Sequence, residues 1–278
     1  MHRAKQPANI EKIHSSFSAQ AKDFESERMN FSKQEYLDYT IRAIQARKTD
    51  ALLDAAAGTG ACGRSLSPLV ASVVCLDATD AMLQQGRAMA EAAGLSNIRF
   101  VQGYVEQIPY RDAAFDIVIT RLAFHHFPEM ERPFMELHRV LKPGGKLVII
   151  DMEAAEEDLR DREDRIETMR DPSHVKNRSR GEFAALYERY GYSVKKMEHT
   201  DIAVSLDAWM DLTQTPEKIR SQIAGLMEAE LSGGERTGFS PRREGGAEGG
   251  ALWFNQRWLL MLGVKGADKA GAPCKNPG

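Results

Sequence analysis

Between residues 51 and 151 the chain alternates short apolar runs with amphipathic stretches. Ala51-Leu52-Leu53, Val73-Val74-Cys75-Leu76, Ile98-Arg99-Phe100-Val101, Phe115-Asp116-Ile117-Val118-Ile119 and Lys146-Leu147-Val148-Ile149-Ile150 read as strands separated by helices. That alternation predicts an α/β fold: a parallel sheet with helices on both faces, whose ligands lie beyond the carboxyl ends of the strands. Upstream, Ile10, Ile13 and Phe17 recur at i, i+3, i+7, and Leu37, Ile41 and Ile44 at i, i+4, i+7, predicting two amphipathic helices. Met130, Phe134, Leu137 and Leu141 form the stripe of a further helix that Pro128 starts and Pro143-Gly144 ends; Phe134 and Met135 read as packing residues.

Downstream the pattern loosens. Glu153 to Arg170 is densely charged, with Glu156 and Arg160, Asp158 and Arg162, and Asp161 and Arg165 at i, i+4, which predicts an exposed helix with a solvated face. Its thin stripe, Ile166 and Met169, is suited to covering a pocket. Residues 181–190 read as a helix, 192–204 as a strand and 206–230 as helical pieces. The Gly-, Arg- and Glu-rich stretch 232–250 reads as a mobile connector. Ala251 to Leu262 is long and apolar enough for a last strand, and 266–278 is expected to be disordered. The predicted organisation is a helical cap over 1–48, a ligand-binding core over 49–151, a lid with a sixth strand over 152–250, the final strand over 251–265, and a tail.

Composition narrows the classes. At 278 residues and 42% hydrophobic the chain can bury a sizeable core, and a net charge of -3 from nearly balanced acids and bases disfavours a nucleic acid partner. Cys62, Cys75 and Cys274 have neither metal-ligand nor disulfide-framework spacing, so no metal and a reducing cytoplasm are expected. No apolar window approaches the length of a membrane span, and no leader pattern is present, so no membrane partner is expected.

The chemistry concentrates in Leu52-Leu53-Asp54-Ala55-Ala56-Ala57-Gly58-Thr59-Gly60 and in the acid that ends the next strand, Asp77. Gly58 and Gly60 let the backbone bend and a ligand lie against it, and the helix that follows offers free N–H groups. An acid at the position of Asp77 can accept both hydroxyls of a ribose. A strand-to-helix turn alone would explain the glycines; the second acid favours a nucleoside site.

With Ile98 to Gly103, Ile108-Pro109-Tyr110, Phe115 to Thr120, and Arg139 to Gly145 leading into Lys146 to Ile150, five segments follow in order. Together they resemble a class I S-adenosylmethionine-dependent methyltransferase, similar to the branch holding the ubiquinone and menaquinone biosynthesis enzymes. The resemblance implies a Rossmann-like, doubly wound, mostly parallel seven-stranded sheet whose last strand is antiparallel, with S-adenosyl-L-methionine as cofactor. It implies cofactor contacts from Asp54, Ala56, Gly58, Gly60, Asp77, Ala78, Met82, Tyr104, Val105, Thr120 and Arg121, the last two at the methionine end. Two positions depart from the family. Ala56 stands where glycine is common, tolerable if its φ is negative, and Tyr104 stands where an Asp accepts the adenine amino group, leaving the Val105 backbone and apolar walls to hold the base.

The first helix of such relatives crosses the cofactor mouth, which implies Phe17, Phe24 and Arg28 near the substrate. A sulfonium methyl is already activated, so the protein must chiefly position a nucleophile, and a base is needed only if that nucleophile is protonated. His125 and His126, just beyond the fourth strand, are the candidate bases, with capping or packing as their alternative role. Asp171-Pro172-Ser173-His174 resembles a lid turn of relatives, which implies substrate contacts from Asp171 and His174; a solvent-facing turn explains it as well.

The expected activity is methyl transfer to O, N or C of a small-molecule metabolite, releasing S-adenosylhomocysteine, by a monomer or homodimer. Alternatives are a non-methylating use of the bound sulfonium, such as cyclisation or elimination, and an inactive accessory subunit. Phe183, Tyr187, Tyr190 and Trp209 would suit an aromatic acceptor or plain packing, and Lys176, Arg178 and Arg180 an acidic one.

Overall fold

The computed structural model describes residues 9–22, 24–25, 34–245 and 250–267. Two helices, α1 (Ile10–Gln20) and α2 (Gln34–Ile44), precede the alternating core of β1 (Ala51–Ala55), α3 (Ala61–Leu66), β2 (Ser72–Asp77), α4 (Asp80–Ala92), β3 (Ile98–Gln102), β4 (Phe115–Arg121), α5 (Glu131–Val140) and β5 (Leu141–Met152). Then come α6 (Arg160–Arg170), α7 (Arg180–Arg189), β6 (Tyr192–Ser205), α8 (Leu206–Leu212), α9 (Glu217–Leu231), β7 (Arg242–Glu244) and β8 (Ala251–Lys265). Arg28 and residues 268–278 lie outside the described residues, as do the calls made on them from the sequence.

The strands form one sheet in the order β3-β2-β1-β4-β5-β8-β6. The first five pair in parallel, whereas β8 runs antiparallel to both β5 and β6. The chain order reverses between β1 and β4, so their carboxyl ends open a crevice where a ligand can enter. Central strands are buried on both faces, which is why they read as continuous apolar runs. One face packs Leu52, Ile117, Ile119 and Val148 under α2 and α3; the other packs Leu53, Val118, Leu147 and Ile149 under α5 and α7.

Three sequence expectations change, and the packing alternative holds for three of the aromatic residues. The stretch 232–250 is not wholly a connector, because Arg242–Glu244 pairs with Ala251–Trp253 as an eighth strand. Helix α5 ends at Val140, which is buried, and Leu141 already begins β5; Met135 is half exposed and not part of the core. The charged region is not a solvated helix: α6 starts only at Arg160 and buries Arg160, Glu167 and Arg170 beside Ile166. The i, i+4 pairs do not form: Arg160 pairs with Glu182 and Arg162 with Glu235 across the fold, and Arg170 with Glu167 one turn earlier. Finally, Phe183, Tyr187 and Trp209 are fully buried core, with the Arg170 guanidinium 4.6 Å from the Trp209 ring centre.

Among the described residues no helix is long and apolar enough to cross a membrane, and no group of three or more His, Cys, Asp or Glu is arranged to hold a metal ion.

Candidate active site

The crevice lies above the ends of β1, β2 and β4 and is roofed by Ile10, Ile13 and Phe17 of α1, with Phe24 just beyond it. Its floor is the turn after β1. There Gly58 has φ +57° and Gly60 φ +76°, left-handed values that favour glycine. Gly60 does not line the crevice: a Cβ there would lie 2.9 Å from both the Cys75 Sγ and the Phe100 ring, so its role is packing. Gly86 of α4 has a related task that the sequence pattern did not reveal, since a Cβ on it would fall 2.2 Å from the Thr59 carbonyl oxygen.

Ala56 is the unexpected member of the turn. Its φ is +54°, not negative, which places a side chain in a region costing about 1–2 kcal/mol for an L-residue. Ala56→Gly should relieve that strain, offset in part by the extra freedom glycine gives the unfolded chain, for a net gain of about 0.5–1 kcal/mol. A higher urea midpoint at unchanged slope would show it; an unchanged or lower midpoint would refute it.

Two acids face the crevice. Asp77 accepts the Gly58 N–H and the Thr79 N–H, each at 2.8 Å, so the acid that ends β2 also ties down the glycine turn. Burial pushes its carboxyl above the ordinary range, against the pull of those two N–H groups. Asp54 is buried and accepts the Gly63 N–H at 2.8 Å. Burial pushes it up to about 7, with the Gly63 N–H and Arg121 opposing. Arg121 lines the same crevice with its guanidinium 5.0 Å from the Trp258 ring centre. Ala56, Ala78, Tyr104 and Val105 line it too, whereas Thr120 and Met82 are buried in the sheet and in α4 and do not.

A second, smaller cleft shares Phe17, Phe24, Leu122 and His126 with the first, and adds His125, Met152, Arg170, Asp171, Leu212 and Gln256. The turn after β4 delivers both histidines, with their ring centres 4.1 Å apart. His125 is held by Asp151, Nδ1 to Oδ1 at 2.6 Å. His126 Nδ1 lies 3.1 Å from the Ser173 carbonyl oxygen and 3.1 Å from the Ser173 Oγ. A carbonyl only accepts, so Nδ1 carries the proton and Nε2 keeps its lone pair. The Ser173 hydroxyl in turn donates to Asp171 at 2.6 Å, which also accepts from Ser16 of α1. Burial, with His125 and His174 nearby, pushes His126 well below the ordinary imidazole range, against the pull of Asp171, so the ring is neutral near pH 7.

The His174 N–H donates to the Asp171 carbonyl at 3.0 Å, but the two side chains have different partners. His174 is buried away from both clefts, its Nε2 2.8 Å from Asp164, and its ring stacks 5.7 Å from His125. It lines neither cleft and stacks against the histidine turn. Arg178 donates to the Phe127 carbonyl at 2.7 Å and Arg180 pairs with Glu153, and neither lines the two clefts. Ser173, Asp151, Cys62, Leu122 and Gln256 were not singled out from the sequence. Of these only Asp151 had a signal: like Asp54 and Asp77, it is an acid ending an apolar strand.

Residues 53–149 match the family described as "Methyltransferase domain". The chain is 31% identical over 208 residues to the uncharacterized methyltransferase YcgJ of Bacillus subtilis, covering 74% of this chain and 82% of that protein. The crystal structure of YcgJ superposes with a TM-score of 0.75 at 27% identity, covering 84% of this chain and 99% of that one. A candidate methyltransferase of Bacillus halodurans superposes at 0.76 with 26% identity, covering 84% of this chain and all of that one. The ubiquinone/menaquinone biosynthesis C-methyltransferase UbiE of Shewanella oneidensis is 36% identical over 117 residues, 41% of this chain and 47% of that protein.

Proposed function

The chain belongs to the class I S-adenosylmethionine-dependent methyltransferases, and from that premise we propose that it methylates a protonated nucleophile of a small-molecule metabolite, with His126 as the base. The observation that carries this reading is the pair of clefts joined at Phe17, Phe24, Leu122 and His126. One suits a nucleoside and the other an acceptor, and a neutral imidazole stands at their junction.

The crevice residues fit the cofactor. Asp77 keeps lone pairs for the ribose hydroxyls, Tyr104 and Val105 flank the adenine, and Asp54 and Arg121 suit the ammonium and carboxylate of the methionine end. S-adenosylmethionine supplies, when bound, an activated methyl group. What remains for this chain is positioning, worth up to roughly 7–11 kcal/mol, and removal of one proton. Ser173 fixes the His126 tautomer and leaves Nε2 free to accept, while burial, which holds the ring well below the ordinary imidazole range, weakens it as a base. Asp171, reached through the Ser173 hydroxyl, favours the cation that forms. The aliphatic and aromatic walls exclude water that would compete for the methyl group.

The test is S-adenosylhomocysteine release from S-adenosylmethionine with a panel of phenols, alcohols and amines. His126→Ala should lower kcat/KM for the responding acceptor by about 10²- to 10⁴-fold while S-adenosylhomocysteine binding stays intact. Undiminished turnover in the variant would remove His126 from the mechanism.

A further inference from the structure

Helix α1 sits over the site without belonging to the core. Its Ile10, Ile13 and Phe17 line the cofactor crevice, and among the described residues no side chain of α1 joins either of the two hydrophobic clusters packed on the sheet. What ties the helix down is polar. Asn9, which precedes its first turn, donates from Nδ2 to the Ser173 carbonyl at 2.7 Å and to the His126 carbonyl at 3.1 Å. Further along the helix, Ser16 donates to Asp171 at 2.8 Å and Gln20 donates to Ser16 at 2.9 Å. The Phe17 ring meets the His126 ring edge-on, with centres 5.1 Å apart.

Asn9 is not there to cap α1. Its side chain makes no hydrogen bond to the helix's own N–H groups, and its φ of +72° is a left-handed value that asparagine tolerates better than most residues. Both partners of the amide are carbonyls, so an oxygen turned toward them would meet only acceptors and the nitrogen must face them. Its N–H groups thus join the turn after β4 to the turn at 171–174. Ser173 is the shared point. Its carbonyl accepts from Asn9 and from His126 Nδ1, the contact that sets the imidazole tautomer. Without Asn9 that carbonyl loses one of the two groups that aim it, and the Ser173 Oγ, also 3.1 Å from Nδ1, can offer its proton to the ring instead.

We propose that Asn9 is a positioning residue that links closure of α1 over the cofactor to the tautomer of His126. A ligand lying beneath Ile10, Ile13 and Phe17 favours the docked helix, and the docked helix holds the Ser173 carbonyl on Nδ1, so each strengthens the other. The value of that tautomer for methyl transfer rests on the reading of His126 as the base; the latch itself does not.

Nitrogen NMR of the histidine side chains at about pH 8, with His126 assigned through His126→Gln, tests the latch beside calorimetry with S-adenosylhomocysteine. The parent should carry a proton on His126 Nδ1 and none on Nε2. Asn9→Gly keeps the left-handed backbone and loses the donors, so it should give a mixture of tautomers and bind S-adenosylhomocysteine about fivefold or more weakly. Asn9→Asp decides between latch and cap. Asp caps helices as well as Asn, so a capping role predicts parental behaviour, whereas a carboxylate facing two carbonyls predicts a loss at least as large as in Asn9→Gly. An unmixed Nδ1 tautomer in Asn9→Gly, or parental tautomer and affinity in Asn9→Asp, would overturn the proposal. Absent binding of S-adenosylhomocysteine by the parent would instead overturn the cofactor reading, and the tautomer comparison, which needs no ligand, would still judge the latch.

Discussion

Asp77→Ala should bind S-adenosylmethionine and S-adenosylhomocysteine at least about 100-fold more weakly than the parent protein, with the fold retained. Two losses combine. A carboxylate gripping two ribose hydroxyls makes charge-assisted bonds, each worth about 1.5–3 kcal/mol. The same oxygens hold the Gly58 and Thr79 N–H groups at 2.8 Å, so their removal also loosens the turn against which the ligand lies. Asp77→Asn separates the effects. Its carbonyl oxygen can keep one of those N–H groups, but its amide must face the other, so binding should fall by less than in the alanine variant and still by more than about tenfold. Calorimetry with both ligands, beside a urea melt to confirm folding, decides the matter. Micromolar affinity retained by Asp77→Ala would move the ribose elsewhere and with it the assignment of the crevice.

The parts of this site that could be read in the sequence are those in which one residue type answers one backbone need. A strand ending in Asp54 before a glycine turn, and a second ending in Asp77, point to a nucleoside crevice only as a set, since a lone acid ending an apolar strand also serves structure, as Asp151 does. The core strands are legible for a similar reason, since burial on both faces leaves apolar runs at 51–53, 73–76 and 117–119. What depends on long-range partners was not legible. Ala56 adopts a positive φ that no local pattern demands, and α6 conceals Arg160 and Arg170 because Glu182 and the Trp209 ring wait for them far along the chain, with Glu167 buried against Arg170 one turn away. Ser173 reads as a turn residue, yet it sets the tautomer of a histidine 47 positions earlier. His174, beside Asp171 in sequence, is paired instead with Asp164 one helix away.

Asp151→Ala should cost about 3–5 kcal/mol of stability, more than any other single change at the site. The carboxylate is 1% exposed and accepts four bonds: Ala123 N–H at 3.0 Å and Phe124 N–H at 2.6 Å on one oxygen, His125 Nδ1 at 2.6 Å and Met152 N–H at 2.8 Å on the other. Removing it leaves four buried donors unpaired, three of them in the backbone on either side of the acceptor cleft. Asp151→Asn is the variant that should still fold, since its oxygen keeps one pair of donors while its amide repels the other. The pH dependence identifies the cause. Burial raises the Asp151 carboxyl, but His125 and the backbone N–H groups more than reverse this and hold it below the ordinary range. A carboxylate with a depressed folded pKa stabilises fully above its unfolded pKa of about 3.9, and that contribution disappears as pH falls through the folded value. The stability gap between the parent and Asp151→Asn should thus be level from about pH 8 to 5 and close below about pH 4. A gap that persisted unchanged at pH 3 would mean that shape, and not charge, holds the histidine turn in place. Because that turn carries both His125 and His126, the anion buried beneath it fixes the position of the proposed base without touching a ligand.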